Sequence, residues 1–387
     1  MHRFILPLLF FSLTLGLSLS QAQTMTLPES IPGDTTVTSF LPIAGYMSDT
    51  GLLGGVVLNR IQYHPVVKPY VSLTEGRVLV STKGLFDFQL RFEQMETFGL
   101  PVRSRWTLYG ERDPTDLYFG TGNDATFDDD LWSEGFYDFL AVRAGFKWTG
   151  RNMIFQPAWS GGQLDLVSTI GFHYETADED STRLMGQMEP LGMHGGYMTT
   201  IGTGLMWENR DNEIDPSQGN MVEITGNWSP AGYLGDFPMA SFTADVRQYY
   251  PLPLPVLRPV LAFRAKGNWV TGTVPYWELP HLGDEYTLRG YPVHRFRGTA
   301  SLLYNAELRT WVYEYPELAF KLGFQLFSDG GRVFNSGDDW SDLFQDYHRT
   351  YGVGFATSLF SPDFIFRLDV GFSDEMYRLY ANVGYMF

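Results

Sequence analysis

The sequence predicts an all-β fold, a transmembrane antiparallel β-barrel of about 16 strands. Three observations predict it. Only 18% of the 387 residues are charged and 16% are aromatic, whereas a soluble domain carries about 25% charged residues. Apolar and polar residues alternate with a period of two along most of the chain, as they do in strands with one apolar face. The alternating segments run about 10 residues or more, the length of a tilted strand that crosses a bilayer.

The same composition excludes several classes of protein. The chain has no cysteine, so it is not a disulfide scaffold. Its net charge of −17 repels phosphate, which argues against nucleic-acid binding. The sequence has no Gly-x-Ser-x-Gly elbow, and its 7 histidines lack the spacing of metal ligands. We therefore expect no enzyme, no cofactor and no metal site.

The N-terminus is typical of a secretory signal peptide. His2 and Arg3 precede an apolar run from Phe4 to Leu19, and Ser20-Gln21-Ala22 supplies small residues for cleavage. The sequence therefore predicts three regions: a signal peptide over residues 1–22, a short periplasmic segment over 23–37, and an outer-membrane barrel over 38–387.

The strands follow one another as segments with period-two alternation. In the fourth segment, for example, Phe86 and Phe88 alternate with Asp87 and Gln89. An even number of strands is typical of single-chain bacterial barrels. The segments predicted as strands are 38–48, 51–64, 67–82, 84–97, 103–113, 132–149, 163–177, 194–210, 221–232, 237–251, 256–271, 300–314, 317–334, 349–360, 363–373 and 377–387.

The connections differ between the two ends of these strands. With both chain ends in the periplasm, connections from odd to even strands face outside, and the long segments 114–131, 178–193, 272–299 and 335–348 are among them. Connections at the other end are mostly short, as in outer-membrane barrels. The outer segments include acidic runs, which we interpret as solvated. The alternative is that they bind divalent cations that bridge lipopolysaccharide.

The last predicted strand has an alternating aromatic pattern. Tyr385 and Phe387 share a face with Tyr377 and Leu379, so we expect Phe387 to lie in the aromatic girdle at a membrane interface. A terminal strand of this kind resembles the signal by which bacterial barrels are recognised for insertion. The resemblance implies that Tyr385 and Phe387 form that signal, with the barrel assembly machinery as the partner in the chain's own insertion.

The connection before the twelfth predicted strand carries the most specific motif. It contains Thr287–Tyr291 and Arg295–Gly298, and the following strands carry Asn305–Arg309 and Phe327–Gly331. This order resembles the bacterial surface-antigen superfamily, the barrel part of BamA/TamA-like outer-membrane assembly factors and of two-partner secretion transporters. Weaker matches, such as Tyr118–Asn123, extend the resemblance over about residues 38–387.

The resemblance implies that the loop between strands 11 and 12 folds inward, and that its arginine docks on a carboxylate in a Phe-x-Asp-x-Gly strand motif. A guanidinium fork can grip a carboxylate with two hydrogen bonds. Strand parity places Glu307 and Asp369 on the same polar face as that carboxylate, so they are candidate further partners. The residues that match this loop lock are Arg289, Gly290, Tyr291, Phe327, Asp329 and Gly331.

The chain departs from the assembly factors in one respect. These carry polypeptide-transport-associated (POTRA) domains before the barrel, and residues 23–37 leave no room for one, so we expect a barrel alone. The resemblance implies an integral outer-membrane barrel that assists protein or lipid insertion or translocation. A passive or selective pore and a surface receptor or adhesion barrel are the alternatives. Expected partners are outer-membrane lipid, lipopolysaccharide, and an unidentified client or periplasmic protein.

Overall fold

The strands form one large antiparallel sheet. A computed structural model describes residues 35–47, 51–64, 67, 70–254, 257–318, 320–335, 337–338, 340–358 and 365–387. The predicted signal peptide over residues 1–22 lies outside these residues. Within these residues, sixteen strands pair with their neighbours in chain order, which confirms the all-β prediction and the prediction of about 16 strands. Among the helices of the described residues, none has the length and apolar composition needed to cross a membrane.

The long strands are numbered together with two short ones, β12 and β13, which form a separate small sheet. In the described part of the chain, two short α-helices, α1 (Asp129–Ser133) and α2 (Leu184–Met188), lie in connections. The strands are β1 (Thr35–Met47), β2 (Gly51–Tyr63), β3 (Ser72–Ser81), β4 (Phe86–Gln94), β5 (Val102–Leu117), β6 (Asp138–Phe155), β7 (Gln163–Ala177), β8 (Gly196–Glu208), β9 (Gly219–Ser229), β10 (Met239–Pro251), β11 (Val260–Gly272), β12 (His281–Leu282), β13 (Phe296–Arg297), β14 (Ala300–Tyr315), β15 (Phe320–Phe334), β16 (His348–Ser358), β17 (Ile365–Phe372) and β18 (Tyr377–Val383).

The two faces of the sheet have opposite character. In β15, Phe324 and Leu326 are 50% and 56% exposed, whereas Gln325 and Asp329 are 2% and 0% exposed. We call these the apolar face and the polar face of the sheet. A sheet of a soluble protein buries its apolar face. This sheet shows the inverse pattern, because it buries charged side chains and exposes large apolar ones.

The longest connections lie at one end of the strands. They follow β5, β7, β11 and β15 and include 118–137, 178–195 and 273–299. Residues 273–299 are called the β11–β14 loop below. At the opposite end, residues 209–218 form the β8–β9 turn.

The sixth strand differs from its prediction. We expected 132–149, but β6 spans Asp138–Phe155 and is preceded by α1. The side chain of Asp128 accepts hydrogen bonds from the backbone N–H groups of Asp130 and Leu131 at 2.9 and 3.0 Å. This N-cap satisfies backbone donors at the start of a helix, so local capping overrides the alternation in that stretch.

The end of the chain also differs from its prediction. β18 ends at Val383, and Gly384 adopts a φ of +85°, which turns the chain out of the strand. Phe387 is 5% exposed and packs with Tyr249 and Ala262 on the polar face. The expectation that Phe387 lies in an exposed aromatic girdle was therefore wrong, because the chain turns after Val383 and the side chain is buried.

Candidate functional site

The centre of the candidate site is the guanidinium of Arg289 in the β11–β14 loop, which is 0% exposed. Its Nε and Nη2 atoms donate to the two carboxylate oxygens of Asp329 at 2.9 and 2.8 Å. The backbone N–H of Arg289 donates to the same carboxylate at 3.3 Å. The guanidinium carbon lies 3.4 Å from the centre of the Phe327 ring. The loop arginine is thus held by a fork of hydrogen bonds and by stacking on an aromatic face.

Two further carboxylates lie beside the same arginine. Nη1 of Arg289 lies 2.6 Å from Oε1 of Glu307 and 3.4 Å from Oδ2 of Asp369. Both carboxylates are about as buried as Asp329, at 1% exposure each. The structure therefore brings the two candidate partners to Arg289, across strands β14, β15 and β17.

Two arginines that the sequence interpretation did not assign complete the cluster. Arg309 donates to Glu307 at 2.7 Å, and Arg367 lies 3.0 Å from Asp369. Three arginines therefore face three carboxylates, and the formal charges balance. Arg309 and Arg367 each stand two residues from their carboxylate in the same strand, so strand parity could have placed them on the shared face.

Two amide side chains on the strands donate hydrogen bonds to carboxylates of this cluster. Asn305 donates from Nδ2 to Oδ1 of Asp329 and to the carbonyl of Thr287, both at 2.9 Å. Gln325 donates to the carboxylate of Asp369. Asn305 thus links the loop backbone to the same carboxylate that receives Arg289.

The residues that follow Arg289 fit closely against β17 and β18. Gly290 has a φ of +116° and donates its N–H to the hydroxyl of Tyr380 at 2.9 Å. A Cβ on Gly371 would lie 2.6 Å from the carbonyl carbon of Arg289, so the loop passes directly over that glycine. Tyr291 donates its hydroxyl to Asp374, in the turn between β17 and β18.

The remaining predicted residues lie at two places. Gly331 lies beneath the loop, where an added Cβ would lie 2.9 Å from Leu282. Tyr385 and Phe387 lie beside Arg309, whose guanidinium carbon is 4.1 and 4.8 Å from their ring centres. Their use as an insertion signal stays a prediction.

A second loop arginine, Arg295, makes contacts that the sequence analysis did not assign. It is 2% exposed and donates to both carboxylate oxygens of Glu375 at 2.7 and 2.8 Å. It also donates to the carbonyl of Ala125 at 2.6 Å. One side chain thus joins the loop to the β17–β18 turn and to the connection that follows β5.

The first part of the β11–β14 loop is held at β7. Tyr276 donates its hydroxyl to Glu175 at 2.7 Å, and burial, followed by the charge of Glu175, raises the pKa of Tyr276. His173 lies 3.1 Å from Glu175 and 2.7 Å from the hydroxyl of Tyr109. The loop therefore contacts the polar face at β7 and again at β14, β15 and β17.

Two histidines of the loop pack edge to face, with ring centres 4.4 Å apart. They are His281 and His294, and Nδ1 of His294 lies 3.2 Å from Asp116. Burial and the neighbouring charge of Arg297 lower the pKa of His294 to about 3. Within the described residues, no group of three or more histidine, aspartate or glutamate side chains is arranged to hold a metal ion.

Comparison with known proteins gives a family and a fold. A family profile described as the Omp85 superfamily domain matches residues 87–387. No curated protein matches the chain.

Among solved structures, BamA from Haemophilus ducreyi lacking POTRA domains 1-3 is similar, with a TM-score of 0.56 at 13% identity over 91% of this chain and 70% of that one. CdiB from Escherichia coli has a TM-score of 0.59 at 13% identity over 92% of this chain and 63% of its own. CdiB from Acinetobacter baumannii has a TM-score of 0.53 at 10% identity over 91% and 60%. The chain thus spans less than two thirds of either CdiB. At these identities the likeness shows the fold.

Proposed function

The chain belongs to the Omp85 superfamily, and from this premise we propose that it is a bacterial outer-membrane barrel that assists insertion or translocation of protein or lipid. In this proposal the 16-stranded sheet closes on itself, with the apolar face toward lipid and the polar face toward the lumen. Exposed apolar side chains beside buried charges support this orientation, because a transmembrane barrel is apolar outside and polar inside.

The observation that carries the proposal is the buried cluster around Arg289. The β11–β14 loop enters the lumen and fixes β14, β15 and β17 through one guanidinium. Burying charged side chains costs free energy unless each of them is paired with an opposite charge. A loop fixed to three strands by buried charges favours a barrel whose last strands keep a defined arrangement over an open, water-filled pore.

The contacts of the loop with the last hairpin support a role for that hairpin. Tyr291 and Arg295 bind Asp374 and Glu375 in the β17–β18 turn, and Tyr380 of β18 donates to the carbonyl of Tyr291 at 3.2 Å. β18 is an edge of the sheet as described. We propose that the loop positions this edge to act on a protein or lipid substrate.

The test uses the full chain folded into vesicles of defined phospholipid. Two activities are measured in parallel: the folding rate of a urea-unfolded eight-stranded outer-membrane barrel added from outside, and the transfer of a fluorescent phospholipid between leaflets. We expect the chain to accelerate one of the two relative to empty vesicles. We expect Arg289→Lys to reduce that activity, since lysine keeps the charge and loses the fork.

The matched control is Arg349→Lys, because Arg349 is exposed on β16. It should behave as the unmodified chain does. Acceleration of neither activity by a folded, membrane-inserted chain would overturn the insertion and translocation proposal. A large steady conductance that is indifferent to Arg289→Lys would instead support a pore.

A further inference from the structure

The β8–β9 turn reaches away from its own hairpin to two distant parts of the sheet. On one side, the carboxylate of Glu213 accepts hydrogen bonds from Nη1 of Arg103 at 2.8 and 3.1 Å. It also accepts one from Arg151 at 3.3 Å. Arg103 lies at the start of β5 and Arg151 near the end of β6. The turn is therefore tied to the strands that precede it in the sheet.

On the other side, the turn is tied to strands that follow it. The carboxylate of Asp215 accepts a hydrogen bond from the indole N–H of Trp311 at 3.0 Å. The ammonium of Lys321 lies 3.6 Å from the same carboxylate. Trp311 belongs to β14 and Lys321 to β15. Five strands, β7 to β11, separate β6 from β14 in the sheet, so two carboxylates only two residues apart reach both sides of this stretch.

The turn is held in shape by its own hydrogen bonds. Asp211 accepts from the backbone N–H groups of Ser217 and Gln218 at 2.9 and 3.1 Å. Asn212 accepts from those of Ile214 and Asp215 at 2.7 and 3.1 Å. Side chains that bind nearby backbone donors fix a turn without other support. Glu213 and Asp215 are thus presented by a built turn.

The end of the chain fills the space beside this turn. The ring of Tyr385 lies 6.3 Å from that of Trp311, and Arg309 donates to the carbonyl of Phe387 at 3.0 Å. Phe387 then packs against Tyr249 and Ala262. Residues 385–387 and the β8–β9 turn therefore lie at the same end of the polar face, opposite the end of the strands from which the β11–β14 loop extends.

We infer that the β8–β9 turn is a second closure of the lumen, which Glu213 and Asp215 position across the barrel end opposite the β11–β14 loop. This inference rests on the proposed closed barrel. The two closures lie in series along the lumen, so either one alone blocks the passage of ions and solutes. Residues Asn209–Asn212, with Pro216 and Gly219, form the turn, and the carboxylates of Glu213 and Asp215 bind the strands on its two sides.

The test is the conductance of planar bilayers that contain the full chain, for four proteins in one set. These are the unmodified chain, Arg289→Gln, Glu213→Gln/Asp215→Asn, and the combination of all three substitutions. Because two barriers in series must both open, we expect each partial variant to conduct little and the combined variant to conduct more than the sum of the two. Asp129→Asn/Asp130→Asn removes the same two charges from α1 and is the control for a general charge effect.

A cross-link supplies the reverse experiment, because the chain has no cysteine of its own. Asp215→Cys/Lys321→Cys is added to Arg289→Gln with Glu213→Gln, and a short bis-maleimide ties the turn back to β15. We expect the cross-linker to abolish the conductance that the protein shows without it.

Two results would overturn the inference and are distinguishable. If Arg289→Gln alone conducts as much as the combined variant, or if the cross-link leaves conductance unchanged, the turn closes nothing and the proposed barrel function still stands. If the chain fails to insert into vesicles as a protein whose electrophoretic mobility changes on heating, the closed barrel and the proposed function fall together with it.

Discussion

Arg289 carries a charge that is shielded from water, so its partners decide its contribution to stability. Arg289→Gln removes the guanidinium that donates two hydrogen bonds to Asp329, and Asp329→Asn removes a carboxylate that balances the charge of Arg289. Each change should destabilise the folded chain by about 3–5 kcal/mol, the cost of breaking a buried pair from one side. The double substitution should cost less than the sum by about 1–3 kcal/mol, because the two groups interact directly.

Urea unfolding in phospholipid vesicles, followed by tryptophan fluorescence, measures these free energies. Arg349→Gln is the control on an exposed arginine, and it should change stability by no more than about 0.5 kcal/mol. Additive effects of the two substitutions would show that Arg289 and Asp329 contribute independently, and would contradict the fork.

A substitution at Gly371 tests the position of the loop without changing a charged side chain. An added Cβ would lie 2.6–2.7 Å from backbone atoms of Arg289 and Gly290, and backbone yields less readily than the tip of a side chain. We expect Gly371→Ala to displace the loop tip and to cost about 1–3 kcal/mol, as overpacking does. The readout is protease cleavage within residues 284–292 of the folded protein, which should increase.

The control for this substitution is another strand glycine. A Cβ on Gly110 of β5 would meet no atom within 4 Å, so Gly110→Ala should leave cleavage unchanged. Equal cleavage of the two variants would mean that the loop does not depend on its contact with β17.

Local sequence patterns predicted the contact of Arg289 with Asp329 but not the contacts around it, for a physical reason. The Arg289 motif and the Asp329 strand motif are local patterns, and strand parity alone placed Glu307 and Asp369 on the same face. Arg295 binds Glu375, 80 residues away, and Tyr276 binds Glu175, 101 residues away. Such pairings depend on the register of the strands and on the course of the loop. The spacing of neighbouring residues in the sequence does not determine either.

At the scale of elements, period-two alternation predicted the long strands well because each strand exposes one apolar face. It failed where a local interaction competes. The N-cap Asp128 starts α1 at the place where the sixth strand was predicted to begin. At Gly384 a positive φ turns the chain, so β18 ends before its predicted last residue. Alternation continues through Tyr385 and Phe387 in the sequence, so the pattern by itself could not reveal the turn at Gly384.

The β11–β14 loop should loosen in mild acid through His294. In the folded protein burial lowers the pKa of His294 to about 3, whereas an unfolded histidine titrates near 6.5. Between these values the unfolded loop binds a proton that the folded loop does not. Stability is therefore fully present above about pH 6.5 and falls as the pH decreases, by at most about 1.4 kcal/mol per pH unit for one proton.

Hydrogen exchange of backbone amides in residues 281–297 measures this effect at pH 7.5 and pH 5, after correction for the intrinsic rates. We expect protection to decrease at pH 5, and His294→Gln to make it less dependent on pH. His281, Arg297 and Asp116 face His294, so the same comparison with His281→Gln separates the two imidazoles. Protection that is equal at both pH values would contradict the role of His294.

At the scale of the whole molecule, the charge is distributed unevenly. The chain has a net charge of −17, whereas the cluster around Arg289 pairs three arginines with three carboxylates. The cluster is neutral, so all of the net negative charge lies outside it. Runs such as Asp128–Asp130 place part of it in the connections at the end where the β11–β14 loop lies.

This distribution predicts the ion selectivity of the small conductance that Arg289→Gln is expected to show. Arg289→Gln removes one positive charge and leaves Glu307, Asp329 and Asp369 facing two arginines, so the residual conductance should prefer cations. The reversal potential in a potassium chloride gradient measures the preference. At about 1 M salt the Debye length shrinks to about 3 Å, and the preference should weaken. Arg289→Gln/Asp329→Asn restores the balance of charges and should reduce selectivity, whereas an anion preference in Arg289→Gln would contradict the assignment of the polar face to the lumen.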